Sequence, residues 1–271
     1  MPASLGPAIP FVCRTILPAA YSGHHTILNT ALVAGSLHSS RIHHDMLNPF
    51  ELTGRNESHV QEVAELRSTV HRASASALRG LVEAARDDGL DLSIVSSFRG
   101  FTRQTEIWNA KFSGRRRLLN RESREIERAL LDEQALIDAI LLWSALPGAS
   151  RHHWGTDVDV IDCSSMPEGY IPQLVQREFE PGAVFGSLEA WLSANLRRFD
   201  FFRPYTTDRG GVMPEPWHIS YAPVSIPALQ RLTLDVLADA IATSEMLGRE
   251  SVLIRLPELY ERYVRAVDEP A

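Results

Sequence analysis

The stretch Gly148–Asp162, "GASRHHWGTDVDVID", gathers two histidines and three aspartates around Trp154 and Gly155. Its second half, "VDVID", alternates apolar and acidic residues with the period of two that marks a strand. Its first half reads as the turn that enters that strand, because Pro147 and Gly148 close the leucine-rich segment before it. Such a turn can bring His152 and Asp159 onto one side. Two ligands are too few for a catalytic zinc, which usually takes three protein ligands and keeps a position for water, and which accepts mixed nitrogen and oxygen donors. The missing ligand should be a further histidine, with a carboxylate that does not bind the metal close enough to take a proton from the water. "MPEPWHISYAP", Met213–Pro223, supplies both. His218 completes the set, and Glu215, three residues earlier, points to the same cavity as general base.

The rest of the chain sets the frame. Its 271 residues, 44% hydrophobic and 23% charged, suffice for a buried core and read as an ordinary soluble globular protein. A formal net charge of −7 gives no polybasic surface, so nucleic acid is not an expected partner. Cys13 and Cys163 form no framework and no Cys-x-x-Cys pair, and they read as small buried apolar residues rather than a disulfide. The opening "MPASLGPAIPFVCRTILPAAYSGHH" lacks a basic segment ahead of its apolar run, and Pro7, Pro10, Arg14 and Pro18 interrupt that run, so it is a poor signal peptide. No stretch approaches the roughly 20 apolar residues of a membrane span. The expected compartment is therefore the cytoplasm, with the periplasm as the alternative if an export signal lies outside this sequence. His24, His25, His43 and His44 read as structural or solvated residues.

Between Asn56 and Asp88, apolar residues at helical spacing (Val60, Val63, Leu66, Val70, then Leu78, Leu81, Val82) predict one or two helices. "LDLSIVSSF", Leu90–Phe98, is short and β-branched and predicts a strand, followed by a turn and a helix in "RGFTRQTEIWNAKF". The block from Arg115 to Pro147 reads as helical, and its basic run Arg115–Arg117 as a solvated helix face. A further helix is expected in "GSLEAWLSANLRRFDFF", inside the long insertion between Cys163 and Pro214. From Pro227 onward the pattern is helical to the end, with breaks at Gly248 and Pro257. No internal repeat is seen.

The pattern Ser-x-His-x-x-Gly-x-x-x-Asp, here Ser150, His152, Gly155 and Asp159, followed by Glu-x-x-His, here Glu215 and His218, resembles that of the zinc D-alanyl-D-alanine carboxypeptidases and dipeptidases. These share a fold with the lysostaphin-type enzymes and the hedgehog signalling domain. The resemblance runs from about Leu90 to Tyr221. It implies an α+β fold, a small antiparallel sheet carrying the zinc site and flanked by helices, with a helical C-terminal extension. The corresponding division is an N-terminal extension packed on the domain (1–55), a catalytic domain (56–223) and the C-terminal helices (224–271). Zinc (Zn2+) is the implied cofactor and a peptidoglycan peptide or muropeptide the implied substrate; the oligomeric state stays open. In "SSFRGFTRQ", Arg99 falls where the family places the residue that stabilises the tetrahedral oxyanion, and Gln104 near a position that helps to hold the substrate. A fixed guanidinium suits that task, since charge developing on a carbonyl oxygen is best met by a preorganised cation. Ser150 corresponds to a contact with the substrate backbone or terminal carboxylate.

One position departs from the family. Most members carry alanine two residues before the aspartate ligand, whereas this chain has Asp157, which on a strand faces the same side as Asp159. A second carboxylate there is expected to add negative charge beside the metal, raise the basicity of the bound water and attract a substrate amine, which makes Asp157 a candidate substrate contact. The implied reaction is metal-assisted peptide hydrolysis with no covalent intermediate, Glu215 moving the proton from water to the leaving amine. Two other readings remain open, a peptidoglycan endopeptidase or L,D-carboxypeptidase, and a metal-stabilised binding module without catalysis. Trp154 and Trp217, one in each motif, either wall the site or belong to the core. His153 reads as support for its neighbour or as an exposed residue rather than as a ligand.

Overall fold

The computed structural model describes residues 46–270. It opens with a short helix, α1 (Pro49–Leu52), started by Asn48, whose side chain accepts from the N–H groups of Phe50 and Glu51 while Glu51 accepts from the Asn48 N–H. A hairpin of β1 (Val60–Val63) and β2 (Ser68–His71) follows, then helix α2 (Ala75–Asp87). Strand β3 (Leu92–Ser96) leads into α3 (Phe101–Phe112). A second hairpin, β4 (Leu118–Leu119) and β5 (Glu125–Ile126), precedes α4 (Glu133–Leu141). Strand β6 (Asp157–Asp162) is separated by 3-10 turns and α5 (Gly186–Asn195) from β7 (Phe201–Phe202). Finally β8 (His218–Tyr221) runs straight into α6 (Ala222–Arg231), followed by α7 (Leu234–Ala242) and α8 (Arg249–Leu259).

The four-stranded sheet has the order β3-β6-β8-β7, antiparallel at every step. Strand β6 is central and wholly buried, so Val158, Val160 and Ile161 join the interior while Asp157, Asp159 and Asp162 must find partners inside the protein. The outcome is the expected α+β arrangement. The helices after Tyr221 share one apolar core with α3 and α4: Leu232, Leu237, Ile241, Val252 and Leu256 pack with Trp108, Ile137 and Ile140.

Two stretches that read as helix are hairpins. Val60, Val63 and Val70 are buried at helical spacing, but a 3-10 turn at Ala64–Leu66 ending in left-handed Arg67 reverses the chain between them, so both strands turn their valines inward. Only the second half of the Asn56–Asp88 segment is helical. Likewise the Arg115–Pro147 block forms β4 and β5 before α4 begins at an Asp132 cap. Arg115, Arg116 and Arg117 are exposed, as expected, but on the turn after α3 rather than on a helix. Gly248 does mark a break, as the left-handed residue that starts α8, whereas Pro257 lies inside that helix, which continues into a π-helical turn at Tyr260–Arg265. Cys163 is buried, and among the described residues no cysteine is a free thiol, which corrects the expectation of an unpaired residue. Cys13, His24, His25, His43, His44 and most of the N-terminal extension lie outside the described residues, as does any packing of that extension. No helix among the described residues is long and apolar enough to cross a membrane.

The C-terminal tail reaches back to the approach to β8. Asp268 accepts from the N–H groups of Thr206 and Thr207 at 2.8 and 2.9 Å and from Arg209, and its own N–H donates to the Pro204 carbonyl at 2.9 Å. Arg262 donates to the Gly210 carbonyl. The loop that delivers Glu215 and His218 is thus tied to the last residues of the chain.

His71 ends β2 and caps the turn into α2, its Nδ1 accepting from the Ala73 N–H at 3.1 Å, which requires that nitrogen to be unprotonated. Burial, helped by neighbouring His59 and Arg72, pulls its pKa from the usual 6.5 down to about 4. The unfolded chain therefore binds more protons than the folded one between these values. The stabilisation is complete above pH 6.5 and is lost as the pH falls toward 4, by roughly 3 kcal/mol for this group. Urea unfolding followed from pH 7 to pH 4 should show this decline, and His71→Asn, which keeps a cap acceptor without a titrating group, should flatten it; an identical decline in the variant would exclude His71 as its source.

Candidate active site

The site is assembled by the pairing of β6 with β8. The register sets Asp159 directly opposite His218 and Asp157 opposite Ser220. The third group comes from the 3-10 turn Arg151–Trp154, which places His152 beside Asp159. That turn ends at Gly155 with φ +66°, and a Cβ there would lie 2.5 Å from Val60 Cγ1 and 2.7 Å from the His71 backbone nitrogen, so glycine alone lets the turn seat against the β1–β2 hairpin.

The three predicted ligands converge. His152 Nε2 lies 3.4 Å from Asp159 Oδ2, and His218 Nδ1 lies 3.1 Å from Asp159 Oδ1. One ligand atom from each residue fits within 4.8 Å of the others, and all three residues are buried. The outward nitrogens are already committed. His152 Nδ1 is 3.0 Å from the Ser97 carbonyl, which can only accept, so this nitrogen carries the proton and Nε2 presents a lone pair. His218 Nε2 is 3.0 Å from Asp157 Oδ1, which by the same reasoning leaves Nδ1 facing inward. Asp159 Oδ1 is buried and receives no hydrogen bond of acceptable geometry among the described residues. Two imidazole nitrogens and an unsatisfied carboxylate oxygen aimed at one point fit a tetrahedral divalent cation such as zinc.

Electrostatics agree with that donor set. Burial pulls His218 down, but the facing carboxylates of Asp157 and Asp159 outweigh it and push its pKa up to about 10. Burial would raise Asp159, yet His152 and His218 hold its carboxyl well below the usual range. Glu215 approaches His218 Nδ1 with Oε2 at 3.4 Å, and its N–H donates to the Tyr205 carbonyl at 2.8 Å. Burial first, and the charge of Asp159 next, raise its carboxyl to about 7 against the opposing pull of His218, Lys111 and Arg99.

Arg99 is fixed from both ends. Its guanidinium donates to Gln104 Oε1 at 2.8 Å and to Ser96 Oγ at 2.9 Å. Its backbone N–H donates to the His152 carbonyl at 3.1 Å, and its carbonyl accepts from His153 Nδ1 at 2.5 Å. Burial lowers the Arg99 pKa, while the facing charges of Asp159 and Glu215 oppose that. His153 is fully buried, and its Nε2 accepts from the Gly148 N–H at 3.1 Å, so it braces the turn and is neither exposed nor a ligand.

Of the three expected substrate contacts, two are placed otherwise. Gln104 is completely buried, with its amide nitrogen donating to the Ala145 carbonyl at 2.7 Å and its oxygen engaged by Arg99, so it stands behind the guanidinium. Asp157 is also completely buried; its carboxylate is taken up by Arg151, Thr156 and His218, which leaves none of it for a substrate amine. Ser150 begins the 3-10 turn, and its hydroxyl makes no hydrogen bond among the described residues. Trp154 belongs to the core, donating to the Leu52 carbonyl at 3.0 Å, and Trp217 is buried in an aromatic stack with Trp143 and Phe179.

Two further groups face the site without any motif to mark them. The Tyr205 ring meets His218 edge-on at 5.3 Å between centroids, and burial keeps its hydroxyl protonated. Lys111, on α3 seven residues after Gln104, senses the charges of Glu215 and Arg99, and burial lowers its ammonium to about 8. A helical wheel of "FTRQTEIWNAKF" puts Gln104 and Lys111 on one face, which was the available signal for the second of these.

This geometry defines a metallopeptidase-type site. Residues 67–224 match the family model described as VanY, D-alanyl-D-alanine carboxypeptidase, and the chain belongs to that family. It is 36% identical over 121 residues to an uncharacterized protein of Haemophilus influenzae, covering 44% of this chain and 92% of that one. It is 29% identical over 147 residues to a D-alanyl-D-alanine carboxypeptidase of Enterococcus faecalis, covering 53% of this chain and 45% of that protein. Among solved structures, VanYB in complex with D-alanine-D-alanine is similar with a TM-score of 0.44 and 24% identity, over 69% of this chain and 89% of that one. The protein is accordingly a carboxypeptidase-type peptidase of the class that acts on peptidoglycan peptides.

Gly155→Ala tests the seat of the His152 turn. The new methyl group meets a backbone nitrogen that cannot swing aside, and φ is unfavourable for alanine, so urea denaturation should show a loss above about 2 kcal/mol. A loss under about 0.5 kcal/mol would mean that the turn does not need its close approach to β2.

Proposed function

We propose that this protein is a zinc-dependent D-alanyl-D-alanine carboxypeptidase that hydrolyses the terminal peptide bond of peptidoglycan peptides. The observation that carries the reading is the convergence of His152 Nε2, Asp159 and His218 Nδ1, with Glu215 3.4 Å from His218 and outside the ligand set. His152, Asp159 and His218 would hold the ion. Zinc, when bound, supplies a Lewis acid that acidifies water and polarises a carbonyl.

The chain's own residues supply the rest. Glu215 has a carboxyl raised to about 7 by burial, close to the value at which a group both takes and returns a proton at neutral pH. It takes the proton of the attacking water and delivers it to the leaving amine nitrogen as the peptide bond breaks. Arg99, its guanidinium fixed by Gln104 and Ser96, meets the negative charge that develops on the scissile carbonyl oxygen. Ser150, buried at the start of the 3-10 turn, is the remaining candidate contact for the backbone or terminal carboxylate of the peptide. A purely structural metal would need neither a fixed arginine nor a carboxylate poised near neutrality, which favours an enzyme over a binding module.

Release of free D-alanine from a muramyl pentapeptide by the zinc-loaded protein tests the proposal directly. Glu215→Ala should retain the metal and lose activity by at least about a hundredfold, the range general-base catalysis contributes. Zinc binding in both proteins without release from either would refute the D,D-carboxypeptidase assignment, and cleavage of a different bond in the same muropeptide would identify the endopeptidase or L,D-activity instead.

A further inference from the structure

Behind the metal-facing groups lies a second polar layer that the proposed chemistry does not use. Arg151, Thr156, Asp157, Ser220 and Ser225 are all buried. Asp157 Oδ1 accepts from Arg151 Nε at 2.7 Å and faces His218 Nε2 at 3.0 Å, while Oδ2 accepts from Thr156 Oγ1 at 2.6 Å. Arg151 also donates to Ser220 Oγ at 2.7 Å, which donates to Ser225 Oγ at 2.8 Å, and its guanidinium lies over the Trp154 ring at 4.8 Å. The layer repeats the construction of the site itself, since Asp157 and Ser220 are partners across the same two strands that pair Asp159 with His218.

We infer that Asp157, charge-balanced by Arg151, is a positioning residue that fixes the tautomer and ring orientation of His218 for metal binding. Stability alone does not account for the pair, because desolvating two buried ions offsets most of their attraction, and apolar residues of similar volume often match or better such a pair. What the pair does supply is direction. A carboxylate anchored by Thr156 and Arg151 can accept the Nε2 proton from one side only, so Nδ1 is left facing Asp159 at 3.1 Å. The guanidinium cancels the added charge, so the residue that departs from the family pattern strengthens the grip on the metal without making the cleft more negative. This inference rests on the reading of His152, Asp159 and His218 as a metal centre.

Zinc affinity measured by chelator competition, with thermal unfolding of the metal-free proteins, separates positioning from packing. The double variant Asp157→Ala with Arg151→Met removes both charges together, so no uncompensated ion is left behind. Its metal-free unfolding midpoint should match or exceed that of the wild type, while zinc binding should weaken 10- to 100-fold. Asp157→Asn, which retains an acceptor for Nε2, should recover a large part of that loss. Zinc affinity within threefold of the wild type in the double variant would overturn the inference. Nitrogen-15 spectra of the zinc-loaded wild type give a check that depends on no variant: His218 should be protonated at Nε2, and a proton at Nδ1 would overturn it equally. Failure of the wild type to bind zinc would instead overturn the metal reading, and this inference with it.

Discussion

Everything in the site depends on the register between β6 and β8. Because side chains alternate along a strand, a shift of one residue would turn Asp159 and Asp157 together to the opposite face and leave His218 without either partner. The register is held from several directions. Val160 N–H donates to the Trp217 carbonyl, Tyr221 N–H to the Thr156 carbonyl, and the two motifs are seated by Gly155 on one side and the Tyr205–Glu215 backbone bond on the other. The apolar faces of the same strands, with Val158, Val160 and Ile219 buried, make the alternative register costly.

A sheet centre this rich in acidic residues is a liability unless each charge is answered. Asp157 is answered by Arg151, and Asp162 accepts from the N–H groups of Asp91 and Ser164. Asp159 is the exception, with one oxygen short of a proper donor, an arrangement that suits a cation. The structure thus separates acidic residues that build the scaffold from the one that reaches into the cleft. Arg99 follows the same logic: Gln104 and Ser96 hold its guanidinium while His153 holds its backbone carbonyl, which turns a long flexible side chain into a fixed charge.

The C-terminal helices and tail take part in this arrangement. They complete the core around Trp108, and Asp268 and Arg262 hold the loop that carries Tyr205 toward Glu215. Composition and periodicity show those segments to be helical; that their last residues brace the loop around Thr206 is a matter of long-range contact, carried by an aspartate some sixty positions away from its partners.

The sequence by itself marked the candidate ligands His152, Asp159 and His218 and the candidate base Glu215, which sit in two short motifs, whereas the pairing of β6 with β8 brings those motifs together. It also marked the central strand, the helix after the turn at Arg99 and the helical end of the chain, from apolar periodicity. It did not distinguish helix from hairpin at Val60–Val70, because valines three apart bury equally well on a helix or on two strands joined by a left-handed turn, and the turn at Arg67 with the β1–β2 pairing shows the hairpin. Nor could it assign the second rank of polar residues. Gln104 read as a substrate contact from its family position and Asp157 from sharing a strand face with Asp159, and the tertiary structure turned both inward, where Gln104 accepts from the Arg99 guanidinium and Asp157 faces the His218 Nε2.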